Sequence, residues 1–500
     1  MVRFTRHNIL LQLSAALLTC VYMLTANAAS TTFINPVGPT TVSSADPFVM
    51  RHTDGFYYYL HTTQGWPNGG VTNLQIAKSR TLSGIGAAPV TTVWKPPVGA
   101  CSGNNCYAKN IWAPELNFIN GVWYLYFSAS GDDSGSNRIW VIQNTSADPT
   151  TGTWSQPIKI HDSFDGWKID QTVANISGQL YMAWSEFAGT DQHVVIAKMS
   201  SPTAIASGVR ATTISMPTLA WERSGGAVNE GPQFLLHGNK VHLSFSASGC
   251  WTDDYKLGEL TATLGADLTV AANWTKSSTP ILQKGNGVYG PGHNAFVKSP
   301  DGTEDWVVYH GNPAPGQGCV DSRTTRIQKI TWNGDTPVIG APTAAGAPMP
   351  RPSGEGNATI LYRLRNQASG KVMSIDRGAA SANGASIWQW DNFNNSDQLW
   401  SLEPAGSGYV TFTSSFNGNV ADVFNFGTTP GVPVKSYPAI NSTNQQWKLL
   451  PTTSQYFDVQ NRNSGLNLDV KDGTLNNGGI IQQWAPNGLA PQRWLFERVN

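Results

Sequence analysis

Gly121-Val122-Trp123-Tyr124-Leu125-Tyr126-Phe127 is a glycine turn followed by six residues of the aromatic, branched and long apolar types that favour strands. Upstream the pattern returns as Gly55-Phe56-Tyr57-Tyr58-Tyr59-Leu60. Downstream it returns as Gln179-Leu180-Tyr181-Met182-Ala183-Trp184, Asn239-Lys240-Val241-His242-Leu243-Ser244-Phe245 and Glu304-Asp305-Trp306-Val307-Val308-Tyr309-His310. Each reads as the second strand of a repeating antiparallel unit. Ahead of each stands a polar marker: Asp46, Glu115, Asp170, Glu230 and His293, at spacings of 69, 55, 60 and 63 residues. Five such units predict a five-bladed β-propeller over 29–339, whose innermost strands deliver side chains to one axis. A pair of β-sandwiches is the alternative, and it leaves the even spacing unexplained.

A second repeat occupies 358–500. Gln398-Leu399-Trp400, Gln445-Gln446-Trp447 and Gln492-Arg493-Trp494 recur every 47 residues. Asp376, Asp422 and Asp469 precede those glutamines by 22, 23 and 23 residues, and Trp390, Tyr437 and Trp484 run in phase. Three Q-x-W units resemble the ricin-B-type β-trefoil, as in carbohydrate-binding module family 13. That resemblance makes the tryptophans core, the aspartates acceptors for sugar hydroxyls, and Trp390, Tyr437 and Trp484 stacking faces for sugar rings. Residues 340–357 are rich in Ala, Pro and Gly without an apolar period and read as a linker.

The chain as a whole is all-β in composition, with 50 Gly, 30 Pro, 19 Trp, 15 Tyr and 18 Phe among 500 residues. Net charge is zero and only 13% of residues are charged, so nucleic acid and anionic membranes are poor partners. Arg3, Arg6 and His7, an apolar run over 9–24 and Ala26-Asn27-Ala28 read as a secretory signal over 1–28. The mature protein is expected to be extracellular, soluble and monomeric. Cys20 leaves with the signal; the expected disulfides are Cys101–Cys106 and Cys250–Cys319. The spacings match no zinc pattern.

Five short motifs lie at the propeller markers. They are Ser44-Ala45-Asp46-Pro47-Phe48-Val49, Ile111-Trp112-Ala113-Pro114-Glu115-Leu116, Lys168-Ile169-Asp170-Gln171, Asn229-Glu230-Gly231-Pro232 and Gly290-Pro291-Gly292-His293-Asn294. Together, and in this order, they resemble glycoside hydrolase family 43; Gln171 departs from the proline usual there. The resemblance implies inversion: Asp46 deprotonates the attacking water, Glu230 protonates the leaving oxygen, and Asp170 orients and tunes Glu230. Trp112 is implied as a substrate contact and Glu115 as structural. Arg323 or Arg326 matches a late arginine that reaches substrate. His293 is implied to face the channel, where the family holds water or a hydrated cation. A structural calcium is the expected ion, although calcium prefers oxygen ligands and the chemistry requires no cofactor.

The expected activity is that of an α-L-arabinofuranosidase or exo-1,5-α-arabinofuranosidase acting on plant cell-wall arabinan or arabinoxylan. The 111–116 and 319–328 segments resemble those members more than the xylosidases. A β-xylosidase or an endo-arabinanase is the alternative. A non-catalytic lectin is a third reading, and the intact carboxylates argue against it.

Overall fold

A computed structural model describes residues 31–38, 43–62, 73–97, 105–131, 133–379 and 383–500. The signal segment and Cys101 lie outside them. Cys250–Cys319 is formed.

The strand Val122–Ser130 shows why its sequence is apolar almost throughout. Side chains alternate across a strand, and here both faces are covered. Trp123, Leu125 and Phe127 pack with Tyr58, Leu60 and Ile76 of the preceding unit. Tyr126 faces the other way, into a cluster with Met182, Trp184 and Val195 of the following unit. The same double burial recurs between the third and fourth units and between the fourth and fifth.

Among the described residues five antiparallel blade sheets result, four of four strands and the third of five. Their innermost strands are Ala45–Arg51, Lys109–Ile119, Lys168–Ile176, Asn229–His237 and Tyr289–Lys298. Each lies beside its neighbours, and the fifth returns to the first. This is the five-bladed propeller. Its ring is closed by the entry segment: Ser44 N–H donates to the Arg323 carbonyl (2.9 Å) and Thr325 N–H to Ser44 Oγ (2.8 Å).

Three four-strand repeats follow. Six of their strands close into a barrel: Tyr362–Asn366, Trp400–Pro404, Tyr409–Ser414, Trp447–Pro451, Phe457–Asn461 and Arg493–Arg498. The remaining three hairpins cap it, giving the β-trefoil. Trp400, Trp447 and Trp494 are fully buried, and each indole donates to a strand carbonyl, those of Met373, Ala421 and Leu468.

The expected linker is held along its length. Pro348–Pro350 pairs with Thr32–Ile34. The buried Glu355 carboxylate accepts the Ser83 N–H (2.7 Å) and the Ser83 hydroxyl. Gly346, at φ +74°, lies so close to the trefoil that an added Cβ would meet Leu449 Cβ at 2.6 Å. A segment without its own apolar period can still be ordered by completing a neighbour's edge. One apolar cluster then runs unbroken from Val49, Tyr59, Trp306 and Val308 of the propeller through Met349 to Tyr362, Trp400 and Phe496 of the trefoil.

Candidate active site

Every innermost strand breaks register at an equivalent place, and the second and fifth do so once more just before it. The interruptions fall between Ala45 and Phe48, Trp112 and Glu115, Ile169 and Thr172, Glu230 and Gln233, and Gly292 and Ala295. In each, two residues face one on the neighbouring strand, which is a β-bulge. The first of each pair has positive φ: Asp46 (50°), Ala113 (46°), Asp170 (58°), Gly231 (52°) and His293 (44°). A left-handed residue with a side chain is uncommon, and its recurrence around a ring marks a place where backbone geometry is given over to aiming side chains. Asp46, Asp170 and His293 point inward from the bulge itself. Trp112, Ile169 and Glu230 do so from the residue before it.

Together with Trp167, Gln192, Trp251, Arg323 and the Cys250–Cys319 disulfide they line a cavity of about 540 Å³. Asp46 Oδ1 lies 3.2 Å from Arg323 Nη1 and 3.4 Å from His293 Nδ1. Asp46 N–H donates to His310 Nδ1 (3.0 Å), so that nitrogen carries no proton. Glu230 accepts from the Tyr255 hydroxyl (2.8 Å) and from Gln192 Nε2 (3.1 Å). Asp170 accepts the Gly231 N–H (3.1 Å), next to Glu230, while its own N–H is held by Ser128 Oγ (3.0 Å). Three carboxylates that the sequence spreads over 185 residues, from Asp46 to Glu230, converge on one pocket.

A family model described as Glycosyl hydrolases family 43 matches residues 33–337, the whole ring that carries this pocket. The chain belongs to that family. A second model, Ricin-type beta-trefoil lectin domain-like, matches 352–437 and 443–500. An extracellular exo-alpha-(1->5)-L-arabinofuranosidase of Streptomyces avermitilis is 40% identical over 329 residues, 63% of this chain and 65% of that protein. The chain therefore matches a little under two thirds of that relative's length. Alpha-L-arabinofuranosidase 43 of Humicola insolens is 32% identical over 72% of this chain and 70% of its own. The crystal structure of an alpha-L-arabinofuranosidase from Lactobacillus brevis superposes with a TM-score of 0.56 at 30% identity, covering 63% of this chain and 98% of that one.

The electrostatics of this family-43 pocket separate the two key carboxyls. Burial alone would raise Asp46, but the Arg323 charge, His293, His310 and a Thr62 hydrogen bond outweigh it and hold the carboxyl well below the usual range. Glu230 goes the other way. Burial pushes it up to about 7, helped by the Asp46 charge and opposed by the hydrogen bonds from Tyr255 and Gln192. Burial and the charges of Glu230 and Asp46 also push Asp170 well above the ordinary carboxylate range. One carboxyl held low thus faces two that are pushed upward, the separation that acid–base cleavage of a glycoside needs.

Tyr255 provides a direct check. Its hydrogen bond favours the charged form of Glu230, so Tyr255→Phe is expected to raise the Glu230 pKa. The alkaline limb of the kcat/KM profile then moves to higher pH; a limb that stays in place, or moves down, removes Tyr255 from control of Glu230.

The other sequence expectations divide. Glu115 directly follows the bulge of the second blade, buried and bonded to Gln233 Nε2 (2.9 Å), and the residue equivalent to Asp46 in that blade is Ala113. Arg323 lines the pocket. Arg326 does not: it is fully buried, donates to the Thr343 carbonyl (3.3 Å), and belongs to the blade interior because it lies within the strand Thr324–Asn333 rather than at its mouth. His293 offers one ring nitrogen turned toward Asp46, and among the described residues no group of three or more His, Cys, Asp or Glu is arranged to hold a metal ion. This donor set does not fit calcium, which takes six or more oxygens. Gln192, Tyr255 and His310 were not anticipated. His310 lies on the second strand of its blade, Gln192 on the third of its blade, and Tyr255 just ahead of the third strand Lys256–Thr263, where no local motif marks them.

In the trefoil, Asp376 is corrected by register. The carbonyls that receive the Q-x-W indoles are followed by Ser374, Asp422 and Asp469, so Ser374 is the true counterpart of the two aspartates. Asp376 corresponds to Phe424 and Lys471, and it closes a local turn by accepting the Gly378 N–H (2.9 Å). One extra residue between Ser374 and Trp390 put the count out of step. The acid has changed places: Ser374 Oγ donates to Asp397 Oδ2 (2.8 Å), where the second repeat has Asn444 Nδ2 donating to Asp422 Oδ2 (3.0 Å). Asp469 is bonded to Gln482 Nε2 (2.8 Å). Trp390, Tyr437 and Trp484 do occupy equivalent positions, opposite Val372, Val420 and Asn467.

Proposed function

We propose that the protein is a secreted, inverting, exo-acting α-L-arabinofuranosidase that removes terminal L-arabinofuranose from plant cell-wall arabinan or arabinoxylan, with the trefoil holding the polysaccharide. The observation that carries the reading is the pairing, in one pocket, of an Asp46 carboxyl held low beside Arg323 with a Glu230 carboxyl pushed up to about 7 by burial. Asp46 takes a proton from water as the water attacks the anomeric carbon. Glu230 gives its proton to the departing glycosidic oxygen, and Asp170 fixes the backbone beside it. The Trp112, Trp167 and Trp251 rings supply apolar wall for a sugar face. The family and the names of the similar arabinofuranosidases support arabinose over xylose. Extracellular action is supported by the N-terminal signal pattern and by the extracellular relative. Among the described residues no helix is long and apolar enough to cross a membrane.

The test is to digest linear arabinan, arabinoxylan and unsubstituted xylan while following the products by proton NMR. Free arabinose appearing first as the β-anomer is expected. Arabinose appearing first as the α-anomer, long oligosaccharides as early products, or xylose alone would overturn the reading.

A further inference from the structure

Arg323 is the cation that keeps Asp46 ionised, yet it leaves a ten-residue stretch, Pro313 to Ser322, that contains no strand or helix. A guanidinium on a loose loop aims poorly, because its fork must be fixed at two points before either N–H has a defined direction. One point is Asp46 itself, 3.2 Å from Nη1. The other is the Cys319 carbonyl, which accepts Nη2 at 3.4 Å. Cys319 is bonded in turn to Cys250, which lies just past the fourth-blade strand Lys240–Ala247. That strand pairs directly with the one carrying Glu230, through Glu230 and Ser246. The covalent path therefore runs from the wall that holds the acid to the arginine that holds the base, and both cysteines line the cavity.

The rest of the loop is arranged as a strap around that link. Asn312 Nδ2 donates to the Gly318 carbonyl (2.9 Å), Gly316 N–H to Asp253 Oδ1 (2.8 Å), and Ser322 Oγ to Asn312 Oδ1 (2.8 Å). Gly318, at φ +55°, lies flat on the Trp251 backbone, where an added Cβ would come within 3.0 Å of the Trp251 Cα. On its outer side Gln317 Nε2 donates to the Thr453 carbonyl of the trefoil (2.8 Å).

We propose that the Cys250–Cys319 disulfide is a positioning element of the active site, fixing Arg323 against Asp46 and so holding the base in register with the acid. This rests on Asp46 as the base. A disulfide of a secreted protein has an ordinary role in stabilising the fold, and that role alone predicts a lower melting temperature with no special dependence on Arg323. The positioning role predicts dependence.

A double-mutant cycle separates the two. The Cys250→Ala/Cys319→Ala pair, assayed well below its melting temperature on 4-nitrophenyl α-L-arabinofuranoside, is expected to lose about tenfold or more in kcat, the scale of a sub-ångström misplacement of a reacting group. In an Arg323→Ala background the same pair should cost less than about twofold, because the group it positions is gone. Equal costs in both backgrounds, or loss of thermal stability with unchanged kcat, overturn the proposal. Should the pair fail to fold, Gly318→Ala keeps the disulfide and displaces the strap, and the same cycle with Arg323→Ala decides. An Asp46→Asn variant that retains activity would remove the base assignment. Additive costs together with an inactive Asp46→Asn would remove the strap's role alone.

Discussion

Glu230→Gln is expected to lower kcat on arabinan at least about a hundredfold, roughly 2.7 kcal/mol of transition-state stabilisation, and to lower it far less on an aryl arabinofuranoside with an acidic leaving group. The reason lies in what each reaction requires. A sugar oxygen departs as a strong base and must be protonated in the transition state, whereas a nitrophenolate departs without help. Glutamine preserves the shape, can accept from only one of Tyr255 and Gln192 where the carboxylate accepts from both, and carries no transferable proton. Asp46→Asn should behave differently, losing at least about a hundredfold on both substrates, because water must be deprotonated whatever group leaves. Asparagine also gives up the charge that Arg323 faces at 3.2 Å. Steady-state kinetics on the two substrates, with circular dichroism to show the fold retained, is the measurement. Parallel losses in the two variants on both substrates would erase the distinction between acid and base, and near-normal activity in either would remove its assignment.

The second large effect concerns the trefoil. Two domains joined by a free spacer would part cleanly, and deletion of 358–500 would leave cleavage of small substrates untouched. The shared core predicts otherwise. Deletion strips cover from Phe33, Ile34 and Met349, removes the Arg498 Nη1 donor to Ser83 Oγ (2.8 Å), and frees Gln317 from Thr453. Each large apolar side chain returned to water costs about 1.5–3 kcal/mol, so several together should lower the melting temperature of the propeller by roughly 10 °C or leave it insoluble. Calorimetry on the truncated chain decides; a melting temperature equal to that of the intact protein would make the interface incidental. Sugar binding is then better probed without truncation. Asp422→Ala with Asp469→Ala is expected to reduce retention on insoluble arabinan or arabinoxylan while leaving turnover of small substrates unchanged, because binding raises only the local concentration of polymer.

What could be read in the chain follows from what repeats in it. Apolar runs such as Trp123 to Phe127, recurring with a polar marker ahead of each, required strands buried on both faces and hence stacked blades. The Q-x-W period required three like units. Asp46, Asp170 and Glu230 were legible because each stands in a short motif on an innermost strand, and the order of the motifs carries the resemblance.

Only the tertiary structure could decide the rest, because the deciding contacts join residues that no local pattern relates. Arg323 meets Asp46 across 277 residues because the ring closes there, with Ser44 hydrogen-bonded to the fifth blade; Arg326, three positions on, is turned into the blade. Gln192 and His310 reach the site from outer strands, and Tyr255 from the turn ahead of one, at positions that no motif marks. Ser374 rather than Asp376 is the counterpart of Asp422 and Asp469 because one extra residue shifts the count, and which carbonyl the Trp400 indole meets settles the register. Segment 340–357 has no apolar period because its order comes from the edges it completes on other strands. Periodicity records what a segment buries against its neighbours in sequence. It is silent about what the closed ring and the docked barrel bring to it from elsewhere in the chain.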